Sequence, residues 1–173
     1  MENFIECLTS TGEKRMIPRE KIRPRTSVYA FIFRGRDLLF VNTKTTGKKW
    51  IPGGEVEAGE TQERALQRET WEETGITISG IHQPIHEEHV FFFYDPLDEG
   101  YENHLVFYIC DALTEEFISD RELIPDEETY EPHWYPIDQV RLEALQPCLD
   151  EIFPRVKEQL FSYLEAHGRT MKS

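Results

Sequence analysis

Residues 53–76 read GGEVEAGETQERALQRETWEETGI. The middle of this stretch, Thr61–Thr74, is rich in Gln, Glu, Arg, Ala and Leu and holds no Gly or Pro, which predicts a helix. Thr61 suits its N-cap, and Gly75 stands where a C′ glycine ends a helix. At about 100° per residue, Glu69, Glu72 and Glu73 fall on one face within an arc of roughly 100°. Like charges at i,i+3 and i,i+4 oppose the helix by about 0.2–0.5 kcal/mol per pair. Arg68, four residues before Glu72, offsets only part of that cost. Two readings fit these residues: a solvated acidic face, or a face that gathers oxygen ligands for a divalent cation. Mg²⁺ is a hard ion that takes one or two carboxylates and keeps waters and substrate phosphates. Pro52-Gly53-Gly54, just upstream, supplies a turn whose backbone carbonyl is a further oxygen ligand and whose lack of side chains admits a phosphate.

The remainder of the chain is consistent with the second reading. It has 173 residues, 33 Asp plus Glu against 19 Lys plus Arg, and a formal net charge of −14. Such a surface repels nucleic-acid backbones and anionic membranes, so neither is an expected partner. It also repels a polyphosphate substrate unless cations stand between the two, which a metal-loaded acidic face provides. The longest apolar runs, Val90–Tyr94 and Leu105–Cys110, are too short to span a bilayer. Glu2 and Glu6 interrupt any signal-like segment at Met1–Ser10, and Cys7, Cys110 and Cys148 share no metal-ligand spacing. The expectation is a reduced, cytoplasmic domain, monomeric or homodimeric.

Phe4–Leu8 and Arg15–Pro18 read as a short hairpin in a locally basic arm, residues 1–24. That arm is expected to pair with the acidic body; contact with phosphate or with a second copy is the alternative. Val28–Phe33 and Leu38–Val41 form a hairpin around Arg34-Gly35-Arg36-Asp37. Strands are predicted at Ile76–Ile81, Val90–Tyr94, Leu105–Cys110 and His133–Ile137, and helices at Leu142–Leu149 and Ile152–Ala166, broken at Pro147 and Pro154. Phe91-Phe92-Phe93-Tyr94 is expected to bury both faces of a central strand. This order predicts an α/β (α+β) domain in which a mixed sheet is sandwiched between helices.

Gly54, Glu60, Arg68-Glu69, Glu72-Glu73, Gly75 and Ile76, at their spacing, resemble the Nudix box of MutT-like hydrolases, here Gly54–Ile76. One position departs: Thr70 stands where the box has an apolar residue, and a slightly weaker helix contact is expected. Trp50–Gly54 and His133–Asp138 resemble the family's flanking segments, so the likeness covers residues 25–140, with 141–173 as a C-terminal helix on the same domain. The resemblance implies a Nudix fold and a Mg²⁺- or Mn²⁺-dependent hydrolase. Its substrate would be a small nucleoside diphosphate linked to another moiety, cleaved at the pyrophosphate by water attack on phosphorus. By position, Glu69, Glu72 and Glu73 would be metal ligands with the Gly53 carbonyl. Arg68 would orient a box carboxylate, and Gly54 and Glu60 would belong to the supporting network. The general base would be Glu72, Glu73 or a later acid, with Glu127, Glu128 and Glu131 as candidates. A Nudix-fold module that binds nucleotides without turnover is the rival, and such modules usually lose box carboxylates that are all present here.

Weaker signals remain. His86 and His89 fall on opposite faces of an extended segment, which argues against a metal pair. Tyr94 and Asn103 are candidate substrate contacts, Tyr94 by stacking and Asn103 by reading a base edge.

Overall fold

Tyr29, Phe31 and Phe33 alternate with Val28, Ala30 and Ile32, and that period of two sends consecutive side chains to opposite faces of a sheet. The computed structural model describes residues 3–81, 83–117 and 129–169. Its strands are β1 (Phe4–Thr9), β2 (Lys14–Pro18), β3 (Ile22–Arg34), β4 (Asp37–Thr43), β5 (Lys49–Trp50), β6 (Gly53–Glu55), β7 (Ile78–Ser79), β8 (His86–Tyr94), β9 (Glu99–Ala112) and β10 (Thr129–Pro136). The helices are α1 (Gln62–Thr74) and α2 (Leu149–Ala166). All strands belong to one mixed sheet with the order β10-β4-β3-β9-β8-β1-β2; β5 pairs with β4, β6 with β3 and β7 with β9. The β3–β9 and β1–β8 pairings are parallel.

The alternation along β3 assigns one helix to each face. Phe31 and Phe33 join Phe40, Phe107 and Ile109 against Ile152, Phe153, Val156, Leu160 and Leu164 of α2. Val28, Ala30 and Ile32 join Val106, Tyr108 and Cys110 against Ala65 and Leu66 of α1. The sheet is therefore sandwiched between helices, as the element order predicts. None of the described helices is long and apolar enough to cross a membrane.

The segment before α2 departs from expectation. Leu142–Leu149 is not a helix: a single 3₁₀ turn spans Leu142–Ala144, and the chain then runs extended beside β5, with Gln146 N–H donating to the Lys49 carbonyl at 2.9 Å. Cys148 holds a positive φ of 82°, which no helix tolerates, and α2 starts only after it. Conversely, Pro154 lies inside α2 rather than breaking it. The proline is exposed, so the carbonyl it leaves without an N–H partner lies on the hydrated side. Ile76–Ile81 shortens to Ile78–Ser79, ended by Gly80 at φ 69°.

The basic N-terminal hairpin is built into the sheet. Leu8 and Thr9 pair in parallel with Phe92 and Phe93, and Cys7 and Ile17 cover Phe93. Arg15 pairs with Asp95, Lys21 with Asp98, and Arg23 with Glu99 at 3.3 Å, so the arm's cations face acids of the β8–β9 turn. β8 also differs from its predicted double burial. Phe91 and Phe93 pack beneath the hairpin, whereas Val90, Phe92 and Tyr94 line a cavity on the other face.

On α1, the departure from the box pattern has a specific cost. Thr70 is fully buried, and its hydroxyl has no hydrogen-bond partner among the described residues. Replacing it with valine keeps the shape and removes an unsatisfied polar atom. Thr70→Val is therefore expected to stabilise the fold by about 1–2 kcal/mol in urea unfolding, and destabilisation would contradict this packing.

Candidate active site

The site forms where β6 lies between β3 and α1. Gly53, at φ 144°, occupies backbone space closed to an L side chain: an added Cβ would collide with the β3 backbone at Val28 and Tyr29. A Cβ on Gly54 would sit 2.5 Å from the Glu69 carboxyl carbon. Both glycines are thus required for the strand to pass close to the helix's acids. Thr61 caps α1 through its hydroxyl, which accepts from Arg64 N–H at 3.3 Å, and Gly75 ends it in the left-handed region. Start and stop together fix the rotation that brings the glutamates to β6.

Arg68 organises the acids. Its Nε and Nη2 donate to both oxygens of Glu60 at 3.0 and 2.9 Å. Its Nη1 donates to Glu69 at 2.8 Å and to Glu72 at 3.1 Å, and Nη2 also reaches the Glu55 carbonyl at 3.0 Å. The planar fork matches carboxylate geometry, which a lysine would not do. These bonds hold the Glu60 carboxyl below the usual carboxylate range and push the Arg68 guanidinium up, so both remain charged at neutral pH.

Glu73 is held separately. The Gly53 N–H donates to its Oε2 at 2.9 Å, and the Thr129 hydroxyl to its Oε1 at 2.8 Å. Glu69 and Glu73, with Gly53, Gly54 and Glu55, form one end of a cavity of about 370 Å³, within the usual range for a small-molecule site. Tyr29, Trp50, Val90, Phe92, Tyr94 and Leu105 supply an apolar wall, and Tyr29 and Trp50 meet edge to face at 5.1 Å. Arg25 is the one cation among the lining residues. The Cys148 thiol is also on the wall, but burial pushes it up to about 12, so it is neutral and no nucleophile.

The donor set at the acidic end is all oxygen, as a hard divalent cation requires. Among the described residues, no three acid, histidine or cysteine side chains already enclose a common point. Glu69 and Glu73 open on the cavity, while Glu72 lies outside its wall on Arg68.

The remaining predicted residues divide. Tyr94 and Asn103 are on the cavity wall. Glu127 and Glu128 lie outside the described residues. Glu131 is described but is not brought to the cavity: a bulge between Tyr130 and His133 and its own φ of 49° turn it to the Asn42 amide, 3.3 Å away. His86 and His89 stand apart as expected, His86 near Phe107 and His89 stacked on His104 at 4.4 Å. Sequence reasoning missed Thr129, Tyr29 and Gln146. Tyr29 was recoverable from the alternation of β3; no local pattern marks the other two.

Comparison with known proteins agrees with this geometry. A model of the NUDIX domain matches residues 23–156. A MutT NUDIX hydrolase from Burkholderia pseudomallei is 26% identical with a TM-score of 0.53, over 69% of this chain and 88% of that one. A NUDIX hydrolase from Nitrosomonas europaea is 22% identical with a TM-score of 0.61, over 79% and 90%. An ADP-ribose pyrophosphatase from Streptococcus suis 89-1591 is 22% identical with a TM-score of 0.53, over 87% and 96%. At that level of identity, the last two report a shared fold. With the family match spanning most of the chain over the box, its glycines and its acids, the protein belongs to the NUDIX family.

Proposed function

We propose that this chain is a NUDIX-type pyrophosphohydrolase, cleaving the pyrophosphate bond of a nucleoside diphosphate linked to another moiety. The observation that carries the reading is the meeting of two unlike linings in one cavity: carboxylates Glu69 and Glu73 and an aromatic wall. That division matches a substrate with a charged diphosphate and an apolar ring.

Glu69, Glu73 and the Gly53 carbonyl would hold a divalent cation, Mg²⁺ or Mn²⁺, with Glu72 joining from the rim. When bound, the ion supplies a lowered pKa for water and charge neutralisation on the phosphate oxygens. The chain's own residues set up the rest. Arg68 keeps Glu69 and Glu72 aligned; Gly53 N–H and Thr129 fix the rotation of Glu73. Gly54 leaves room for the Glu69 carboxylate to lie against the β6 backbone. The general base would be Glu72, Glu73 or a later acid, with Glu127 and Glu128 as the remaining later candidates. A small-molecule substrate, rather than nucleic acid, suits the enclosed cavity and the net charge of −14. Three free cysteines suit a reducing, cytoplasmic setting.

Glu73→Gln removes one anionic oxygen with almost no change of shape and can still accept from Gly53 N–H. It is expected to lower turnover by several orders of magnitude while the melting temperature holds, and full activity would refute the ligand assignment. A substrate panel with Mg²⁺ (nucleoside triphosphates, ADP-ribose, dinucleoside polyphosphates, nucleotide sugars) is expected to reveal cleavage at a phosphoanhydride. EDTA is expected to abolish that cleavage and added Mg²⁺ to restore it; metal-independent cleavage would overturn the mechanism.

A further inference from the structure

Four buried side-chain atoms among the described residues lack a hydrogen-bond partner: Thr70 Oγ1, Asn103 Oδ1, Asp111 Oδ1 and Arg169 Nη1. Asp111 and Arg169 answer each other as an ion pair at 2.7 Å. Thr70 is sealed between α1 and the sheet. Asn103 is different. It is only 6% exposed, and it lies on the wall of the active-site cavity. An amide oxygen buried without a donor costs stability, and native folds keep few such groups. A cost carried at the wall of a ligand cavity calls for a ligand that supplies the donor.

The sheet register says where that donor would sit. Asn103 on β9 is level with Arg25 of β3 and Val90 of β8, and all three line the cavity. Gly53, which holds Glu73, is level with Tyr29, four residues further along β3. At 3.3 Å per residue the two levels are about 13 Å apart. A nucleotide covers such a span, with its phosphates at the acids and the far edge of its base at Asn103. Rings flank both levels: Tyr29 stands at the Gly53 level, and Phe92, level with Tyr101, lies two residues beyond Asn103, so the cavity offers ring faces and edges to a planar group. A sugar hydroxyl is also a donor, but it brings no flat face to these rings.

We propose that Asn103 is the residue that selects for a nucleobase in this cavity, its side-chain amide oxygen accepting an N–H from the edge of the base. The inference rests on the cavity being the substrate site. It names the part of the substrate farthest from the chemistry, so it concerns binding and leaves the hydrolytic groups untouched.

The test is calorimetric titration of the full chain, in Mg²⁺, with AMP, GMP, CMP, UMP and ribose 5-phosphate, none of which has an anhydride to cleave. At least one nucleoside monophosphate is expected to bind about ten-fold or more tightly than ribose 5-phosphate. Asn103→Leu should weaken that nucleotide by about 5- to 30-fold, with ribose 5-phosphate unchanged. Because the substitution removes an unsatisfied polar group, the ligand-free variant should melt at the same temperature or up to about 2–4 °C higher. A purely structural amide predicts the opposite, a lower melting temperature. Asn103→Ala serves for the affinity comparison if the leucine variant does not fold. Equal binding of ribose 5-phosphate and every nucleotide, unaltered nucleotide affinity in the variants, or a leucine variant that folds but melts below the wild type would each overturn the proposal. Failure of the hydrolase reading would look different: base-dependent binding intact, but no diphosphate substrate cleaved.

Discussion

The site depends on one guanidinium. Glu60, Glu69 and Glu72 all accept hydrogen bonds from Arg68, which also grips the Glu55 carbonyl. Without a cation at their centre, these acids would repel one another and the helix that carries two of them would pay for it. With it, the loop after β6 is tied to α1 and the acids are held together. Glu69 still opens on the cavity, and Glu73, outside the arginine's reach, is steered there by a backbone N–H and a threonine. Carboxylate groups are thus gathered beside a cavity, an all-oxygen arrangement suited to a divalent cation.

The fold supplies this arrangement through the two faces of β3. One face anchors α1 through Ala65 and Leu66; the other meets α2 and, beyond the end of that helix, borders the cavity. The strip of β6 crosses from one function to the other, since Gly53 and Gly54 pair with β3 while touching the acids of α1. A displacement of α1 by one residue would turn the glutamates from the cavity. That explains why its cap and its terminal glycine matter beyond helix stability.

Local signals were legible and long-range ones were not. The N-cap at Thr61, the stop at Gly75, the acidic face of α1 and the β3–β4 hairpin are encoded by neighbours in sequence, and the structure has them where the residues place them. The helix expected at Leu142–Leu149 failed because its composition is overridden by Pro147, by the left-handed Cys148 and by pairing with β5, a partner almost one hundred residues away. Pro154 misled in the other direction, since its cost depends on which side of α2 faces solvent. Thr129 steadies Glu73 across 56 residues. Gln146 binds the Ser10 carbonyl at 2.6 Å and accepts from Thr43 and Thr46, closing the cavity from three separate segments. Leu8, Thr9 and Ser10, outside the matched family stretch, are also on that wall. The acidic cluster is thus written in one short segment, whereas the cavity wall is assembled from distant parts of the chain.

The proposed hydrolysis stands on Glu69 and Glu73 forming an oxygen cradle for a divalent cation. Titration with Mn²⁺, followed by the loss of the free ion's electron paramagnetic resonance signal, reads that cradle without turnover. The wild-type chain is predicted to bind the ion, and Glu69→Gln to bind it at least about ten-fold more weakly while remaining folded. Equal Mn²⁺ affinity in the two proteins would contradict that cradle.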